Sequence, residues 1–155
     1  MRVIAGTLKG RHLKAPTWDG LRPTSDKLRE TLFNILAPRI EGARVVDGFS
    51  GTGAIGLEAL SRGAAHVQFI EKDRRAAALI ARNAGACGAQ GRYTIECGDV
   101  ATVLRRGHDA AFDLILLDPP YDHVEVADVL RAAADRVTAG GLVRLERLAV
   151  SFTSR

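Results

Sequence analysis

The sequence has few of the residues and segments that mark several protein classes. It contains two cysteines, Cys87 and Cys97, and four scattered histidines, too few for a disulfide framework or a zinc site. No apolar run approaches the roughly 20 residues of a membrane-spanning helix. The N-terminus, MRVIAGTLKG, has no apolar signal-peptide region. We therefore expect a cytoplasmic globular protein without a metal centre.

Positive charge is concentrated at the N-terminus. Residues 1–44 contain nine Lys and Arg against four Asp and Glu, whereas residues 45–155 contain thirteen against fourteen. A basic arm on a nearly neutral body is typical of proteins that bind a phosphate backbone, although a solvated surface would give the same count. The nine basic residues are Arg2, Lys9, Arg11, Lys14, Arg22, Lys27, Arg29, Arg39 and Arg44.

The length of 155 residues predicts a single domain, 1–155. Short apolar alternation broken by glycines predicts a basic hairpin or arm over residues 1–23. Thr24 is a plausible N-cap for a helix over residues 24–37, which Pro38 would close. The apolar residues of that helix at one-face spacing are Leu28, Leu32, Ile35 and Leu36.

From residue 43 onward, apolar strand-like runs alternate with helical patterns. We predict strands at 43–47, 66–71, 93–97, 112–118 and 141–146, and helices at 54–63, 74–88 and 125–137. Strands separated by helices favour a parallel sheet with helices on both faces. The predicted fold is therefore α/β, with a Rossmann-like, doubly wound core over residues 43–146.

A glycine-rich loop follows the first predicted strand in the sequence VVDGFSGTGAIGLEAL. Gly51 and Gly53 open a tight turn into the next helix, and with Gly56 they match the dinucleotide fingerprint, which is a weak signal alone. Glu71 ends the second strand 20 residues after Gly51, where a carboxylate can bind ribose hydroxyls.

Two ligands compete for such a loop. NAD would place its pyrophosphate at the helix N-terminus, whereas S-adenosylmethionine carries an ammonium that Asp47 could bind. Asp99, after the third strand, could accept the adenine amine. Carboxylates that end four neighbouring strands would meet in one crevice, although each could instead be a helix N-cap.

The fourth predicted strand ends in the motif LILLDPPYDH. Two prolines stop strand pairing at Asp118 and leave a rigid tip with free carbonyl groups. Asp118 and the Pro119 carbonyl could accept both hydrogens of a nucleobase amine, and Tyr121 could stack on the base. This tip predicts transfer of a methyl group to an amine. The alternative of an NAD-dependent oxidoreductase would not explain the DPPY motif.

DPPY and the DGFSGTG loop resemble the amino-methyltransferase branch of S-adenosylmethionine-dependent enzymes. The segments RVIAGTLKGRHLKAP, LRPTSDKLRETLFNIL, GLEALSRGA and FIEKD narrow the resemblance to the bacterial 16S ribosomal RNA guanine-N2 methyltransferase family, which modifies guanine 966. The resemblance covers about residues 2–146. It implies the class I methyltransferase fold, S-adenosylmethionine as donor with S-adenosylhomocysteine as product, and no metal.

The resemblance also implies roles for particular residues. The catalytic motif would be Asp118, Pro119, Pro120 and Tyr121. The donor-binding residues would be Asp47, Phe49, Ser50, Gly51, Gly53, Glu71, Lys72, Asp99 and Val100, with Thr24 and Arg29 on a helix over the donor. The contacts to 16S ribosomal RNA, in the small ribosomal subunit or a late assembly intermediate, would be Arg2, Lys9, Arg11, Lys14 and Arg22.

The C-terminus departs from this family. Residues 147–155 form an atypical short tail, and the strands that follow the fifth strand are expected to be missing. We expect a monomer, or a dimer if a second copy covers the exposed edge of the fifth strand. Two alternatives stay open: a DNA adenine-N6 methyltransferase, since the tip accepts either amine, and a catalytically inactive RNA-binding assembly factor.

Overall fold

The computed structural model describes residues 1–21, 24–107, 109–120, 122, 124–146 and 150–154. In these residues the helices are α1 (Asp26–Ile40), α2 (Ala54–Ser61), α3 (Arg74–Ala86), α4 (Val100–Arg105) and α5 (Val126–Ala134). The strands are β1 (Arg44–Gly48), β2 (His66–Glu71), β3 (Tyr93–Cys97), β4 (Phe112–Leu117), β5 (Val137–Leu145) and β6 (Val150–Thr153). Within those ranges, none of the helices has the length and apolarity to cross a membrane.

The six strands form one sheet in the order β3-β2-β1-β4-β5-β6. Strands β1 to β5 pair in parallel, and β6 pairs antiparallel to β5. The strand order reverses direction between β1 and β4, and this is the point where open α/β sheets bind ligands at the carboxyl ends of their strands. The predicted doubly wound, mainly parallel sheet is confirmed.

Side-chain alternation along the strands divides the apolar core between the two faces of the sheet. Val45 of β1 packs with α1, α2 and α3, whereas its neighbour Val46 packs with α4 and α5. Both faces are covered, so the strands read as continuous apolar runs, as buried parallel strands do. The register of β4 against β5 shifts between Phe112 and Leu114, and these two residues belong to different cores.

The N-terminal arm is a short hairpin docked on α2. Arg2 and His12 form an antiparallel bridge. The buried carboxylate of Glu58 accepts hydrogen bonds from the backbone N–H groups of Ile4 and Ala5, at 2.8 and 3.0 Å. Gly6 has a φ of 84°, and a Cβ there would lie 2.0 Å from the Ser61 carbonyl oxygen, so only glycine permits this approach.

Helix α1 differs from the prediction in its cap and its buried face. Its N-cap is Ser25, whose side chain accepts a hydrogen bond from the Leu28 N–H, so the prediction of Thr24 was wrong. Pro38 lies inside the helix, which continues to Ile40. Leu28 and Ile35 are exposed, at 63% and 55%.

The buried face of α1 consists of Arg29, Leu32, Phe33, Leu36 and Ile40. The apolar pattern misplaced this face because Arg29 is fully buried. Its guanidinium donates a hydrogen bond to the Asp26 carboxylate at 2.5 Å and lies 3.7 Å from the Glu58 carboxylate. Burial of this charged side chain depends on its acidic partners, and one of them, Glu58 of α2, is distant in the sequence.

Two elements were missed in the sequence. Helix α4 has six residues, too few for a helical period to show. The prediction that β5 is an open edge was wrong, because β6 pairs with it from Leu142↔Thr153 to Leu145↔Val150. The basis for expecting a dimer through the β5 edge is therefore removed. Strand β6 has four residues within the predicted tail, too short for alternation to identify.

We expect alanine substitutions at two helical glycines to have different effects on the free energy of unfolding. A Cβ on Gly56 would lie 2.3 Å from a ring carbon of Phe69, whereas a Cβ on Gly85 would meet only the end of the Gln90 side chain, at 3.9 Å. Gly56→Ala should lower the free energy of unfolding by about 1–3 kcal/mol through overpacking. Gly85→Ala should leave it unchanged or raise it by up to about 1 kcal/mol. Urea denaturation measures both, and equal effects would contradict the packing assignment.

Candidate functional site

A crevice of about 650 Å³ opens at the carboxyl ends of the central strands. Its volume lies in the range of small-molecule sites. The residues that line it come from the segment before α1, the β1–α2 loop, and the segments that follow β2, β3 and β4. They are Gly20, Leu21, Phe49, Gly51, Glu71, Lys72, Asp73, Gly98, Asp99, Val100, Asp118, Pro120, Asp122 and Val124.

The β1–α2 loop approaches the crevice with its backbone. Phe49 adopts a φ of 61° and Gly51 a φ of 56°, both in the left-handed region. This conformation is unfavourable for phenylalanine and is retained where the surroundings determine it, often at functional sites. A Cβ on Gly51 would lie 3.1 Å from the Leu21 side chain, so the glycine leaves room at the wall of the crevice.

Glu71 fixes the loop and faces the crevice. One carboxylate oxygen accepts the Gly51 N–H and the other accepts the Asp73 N–H, both at 2.8 Å. A carboxylate has about four lone-pair sites, so each oxygen can accept a further hydrogen bond. Glu71 can therefore bind a pair of hydroxyl groups without giving up its hold on the loop.

Asp99 caps a helix as well as lining the crevice. Its Oδ2 accepts hydrogen bonds from the Thr102 N–H at 3.0 Å and the Thr102 hydroxyl at 2.8 Å. The hydrogen bond from the Thr102 backbone lowers the pKa of Asp99, so this carboxylate is ionised near neutral pH. Asp99 is therefore a helix N-cap, as the alternative interpretation predicted, and it also lines the crevice.

The β4 tip meets β1 at the switch point. The Asp118 N–H donates to the Gly48 carbonyl at 3.4 Å, after which the prolines end the pairing. Pro119 is buried and Pro120 is exposed. Asp118 and Pro120 line the crevice together with Glu71 and Asp99. Tyr121, the predicted stacking residue, lies outside the described residues.

A buried carboxylate cluster lies behind the crevice wall. Asp47 is 2% exposed and accepts the Gly56 N–H at 2.9 Å. Burial raises the pKa of Asp47 well above its usual value, and the charges of Glu71, Asp118 and Glu146 raise it further. Burial also raises the pKa of Glu146 to about 7, against the opposing effect of Arg144.

Glu146 was not among the predicted site residues. It directly follows β5, so the rule applied to the first four strands, a carboxylate at the strand end, could have found it. Its Oε1 lies 3.3 Å from the Arg144 Nε, and both side chains are largely buried, at 16% and 13% exposed. No group of His, Cys, Asp and Glu suited to a metal ion occurs in the described part of the chain.

The structure brings most of the predicted donor-binding residues to one place. Those that line the crevice are Phe49, Gly51, Glu71, Lys72, Asp99 and Val100. Asp47, Ser50 and Gly53 support the β1–α2 loop from behind: the Ser50 hydroxyl links the ends of β1 and β2, and Gly53 caps α2. Thr24 and Arg29 are not among the lining residues, and Arg29 is held by Asp26 and Glu58.

The predicted nucleic-acid contacts lie on the N-terminal hairpin. Arg2 and Lys9 line a small cavity of about 190 Å³ together with Asp26 and Glu30. Arg11 donates to the Ala86 carbonyl at 3.2 Å, and the Lys14 backbone bonds Asn83 of α3. Arg22 lies outside the described residues.

The chain before α1 is tied to the mouth of the crevice. The Arg75 guanidinium stacks over the Trp18 ring at 4.8 Å and pairs with Asp73 at 3.1 Å. Gly20 and Leu21, which follow Trp18, line the crevice. A cation–π contact therefore positions this segment beside Asp73.

Comparison with families and curated proteins gives a consistent result. The family described as Conserved hypothetical protein 95 matches residues 1–151. Ribosomal RNA small subunit methyltransferase D of Haemophilus influenzae is 38% identical over 130 residues, which are 83% of this chain and 67% of that protein. The Escherichia coli protein of the same name is 40% identical over 121 residues, which are 78% of this chain and 60% of that protein. The chain thus spans about 60 to 67% of the length of these relatives.

Solved structures share the fold. The structure of Escherichia coli yhhF, provisionally named a methyltransferase, matches with a TM-score of 0.83 and 34% identity, over 94% of this chain and 80% of that one. A Thermus thermophilus hypothetical protein matches with a TM-score of 0.79 and 32% identity, over 94% and 84%. The Rossmann-like fold of the methyltransferase type is confirmed.

The pKa of Glu146 predicts how stability depends on pH. Its folded pKa of about 7 lies above the ordinary 4.5, so the folded state binds more protons between these values. Stability should therefore fall as pH rises through this window. Glu146→Gln removes this contribution, so the variant should gain up to about 3 kcal/mol relative to wild type between pH 4.5 and pH 8.

Urea unfolding at a series of pH values measures this difference. Glu96→Gln is the matched control, because Glu96 pairs with Arg106 at 3.7 Å and does not line the crevice. Parallel curves for wild type and Glu146→Gln would show that the Glu146 carboxyl titrates normally.

Proposed function

Starting from the finding that the chain belongs to the Conserved hypothetical protein 95 family, we propose that it transfers a methyl group from S-adenosylmethionine to the exocyclic N2 amine of a guanine in small-subunit ribosomal RNA. The observation that carries the proposal is the DPP tip at the switch point, where Asp118 and Pro120 share a crevice with Glu71 and Asp99. The names of the relatives support ribosomal RNA as the substrate.

The crevice suits the donor in volume and in chemistry. When bound, S-adenosylmethionine supplies an electrophilic methyl group on a sulfonium sulfur and leaves as S-adenosylhomocysteine. Glu71 has lone pairs for the ribose hydroxyls, and Asp99 is an ionised acceptor for the adenine amine. The carboxylates around Asp47 repel one another, and an ammonium group would relieve that repulsion.

The other predicted residues for binding S-adenosylmethionine would shape the crevice. Gly51 leaves room for close approach, and Phe49, Lys72 and Val100 complete the walls. Arg29 would act at a distance, because it holds the start of α1 through Asp26.

The tip residues would activate the amine. Asp118 and the Pro119 carbonyl accept the two N–H groups and turn the nitrogen lone pair toward the methyl carbon, while Tyr121 stacks on the base. Asp118 would accept the proton that the amine loses on methyl transfer and would pass it to water. Positioning and local electrostatics carry most of the rate enhancement.

The basic hairpin would bind the phosphate backbone. Arg2, Lys9, Arg11 and Lys14, with Arg22 in the adjoining segment, supply the positive charge. We propose the small ribosomal subunit or a late assembly intermediate as the partner, and hence a cytoplasmic location. A folded target base would have to be unstacked or lie in a loop.

The test is methyl transfer from labelled S-adenosylmethionine to undermethylated small subunits, free ribosomal RNA and duplex DNA, followed by nucleoside analysis by mass. N2-methylguanosine from the subunits is the expected product. N6-methyladenosine from DNA would instead support the adenine alternative. Donor binding without any product would support an RNA-binding protein that lacks activity.

We expect Asp118→Ala to lower kcat by at least about 100-fold, because it removes a preorganised acceptor of the reacting amine. Donor affinity, measured by calorimetry, should be nearly unchanged. Asp122→Ala is the matched control, since this exposed carboxylate also lines the crevice but lies beyond the tip. A large loss of donor binding in Asp118→Ala would show that Asp118 belongs to the donor site.

We expect Arg11→Ala to weaken RNA binding and to reduce the slope of log affinity against log salt by about 1, as the loss of one phosphate contact does. Arg131→Ala is the control, because Arg131 is a 70% exposed arginine on α5. Binding titrations at several salt concentrations measure the slopes. Equal slopes for Arg11→Ala and wild type would remove Arg11 from the interface.

A further inference from the structure

Helix α3 runs from the crevice to the basic hairpin. Its N-cap, Asp73, lines the crevice. Near its other end, the Lys14 N–H donates to the Asn83 side chain at 2.8 Å, and the Asn83 amide donates to the Lys14 carbonyl at 3.1 Å. Asn83 is 2% exposed, so this pair of hydrogen bonds fixes the hairpin against the helix.

The hairpin and the crevice are separated by several nucleotides. Asn83 follows Asp73 by ten residues, which at about 1.5 Å of rise each is about 15 Å along the helix. At about 3.4 Å per nucleotide of a stacked strand, this distance corresponds to about four nucleotides. An RNA strand that contacts the hairpin and places a base in the crevice therefore has to cross the surface between them, and the exposed side of α3 joins the two points.

The exposed side of α3 carries charge of one sign. The helix sequence, RRAAALIARNAGA, contains three arginines and no carboxylate. Exposed residues recur at i, i+4, i+7 and i+8, which is one side of a helix. We call this surface the α3 face, and it consists of Arg74, Ala78, Ala81 and Arg82. The alanines between the arginines add little bulk, so a strand can approach the helix closely.

Helix stability does not explain the arginines of the α3 face. The positions three and four residues from Arg82 within α3 hold alanine, leucine and glycine, so no ion pair of the helical type can form there. Arg74 lies in the first turn, where the helix dipole opposes a positive charge. Arg75 differs, because it pairs with Asp73 and stacks on Trp18.

We propose that the α3 face guides the RNA strand from the hairpin to the crevice, with Arg82 and Arg74 contacting its phosphates. The assignment rests on the proposed function, and it adds two RNA contacts outside the basic N-terminal quarter of the chain. A phosphate backbone is bound by positive charge at intervals. A protein partner would instead need large anchors in a well-packed patch, whereas this face has alanine between its cations.

The test is binding of undermethylated small subunits to Arg82→Ala over a series of salt concentrations. At about 0.1 M salt the affinity should fall by about 3- to 10-fold, and the slope of log affinity against log salt should decrease by about 1, as the loss of one phosphate contact does. Arg82→Lys keeps the charge and should keep the wild-type slope. Arg131→Ala makes the same change of net charge on α5, which packs on the other side of the sheet, and should also keep it.

Transfer kinetics separate this role from a place in the reaction. Arg82→Ala should raise KM for the subunits by a similar factor and leave kcat and donor affinity unchanged, because the α3 face does not touch the reacting amine. Thermal unfolding verifies that each variant is folded. If Arg82→Ala is not folded, Arg74→Ala gives the same test at the other end of the face.

Wild-type salt slopes in both Arg82→Ala and Arg74→Ala would overturn the role of the α3 face, and N2-methylguanosine from the wild-type chain would then leave the proposed function standing. An equal loss of affinity in Arg131→Ala would show an effect of net charge alone and would also overturn it. Weaker binding of a polyglutamate peptide, with subunit binding unchanged, would assign the face to an acidic protein instead. Absence of N2-methylguanosine from every substrate would remove the proposed function, while the salt slopes would still decide whether the α3 face binds RNA.

Discussion

The fold depends on one buried carboxylate, that of Glu58 on α2. It accepts two backbone N–H groups of the N-terminal hairpin and the Arg62 Nε, and it lies 3.7 Å from the buried Arg29 of α1. A fully buried charge is costly to desolvate, and hydrogen bonds together with two guanidinium groups offset that cost. Because α2 begins at the glycine loop, this side chain fixes the basic hairpin and α1 relative to the crevice.

The carboxylates at the sheet edge are arranged in the opposite way. Asp47 is surrounded by Glu71, Asp118 and Glu146, and Arg144 is the cation that lies against Glu146. The charge of Glu58 is neutralised within the fold, whereas burial and, to a smaller extent, repulsion raise the pKa of Asp47 and Glu146 in this cluster. Such perturbed groups at a crevice are typical of functional sites. The same type of side chain thus joins structural elements at one place and belongs to the candidate site at another.

The sequence was informative where local pattern decides the structure. Buried parallel strands read as apolar runs, so β1 to β4 were placed closely, and the carboxylates at their ends were correctly expected to gather at one edge. The sequence was less informative where contacts with residues far away in the chain determine the structure. Arg29 was expected over the donor, and its pairing with Glu58 of α2 could not be predicted from the sequence of α1 alone. Strand β6 depends on pairing with β5, and Gly56 was read as a ligand-loop glycine although the Phe69 ring is what excludes a side chain there.

The stacking of Trp18 on Arg75 has a spectroscopic consequence. The chain contains a single tryptophan, so its intrinsic fluorescence comes from one known position. That indole lies 4.8 Å from a guanidinium which is itself bound to Asp73, a residue of the crevice wall. Any rearrangement of the wall around a ligand changes the electric field and the solvent contact of one chromophore. Trp18 is therefore an intrinsic probe of this wall, and we expect a ligand that rearranges the wall to change its fluorescence without any added label.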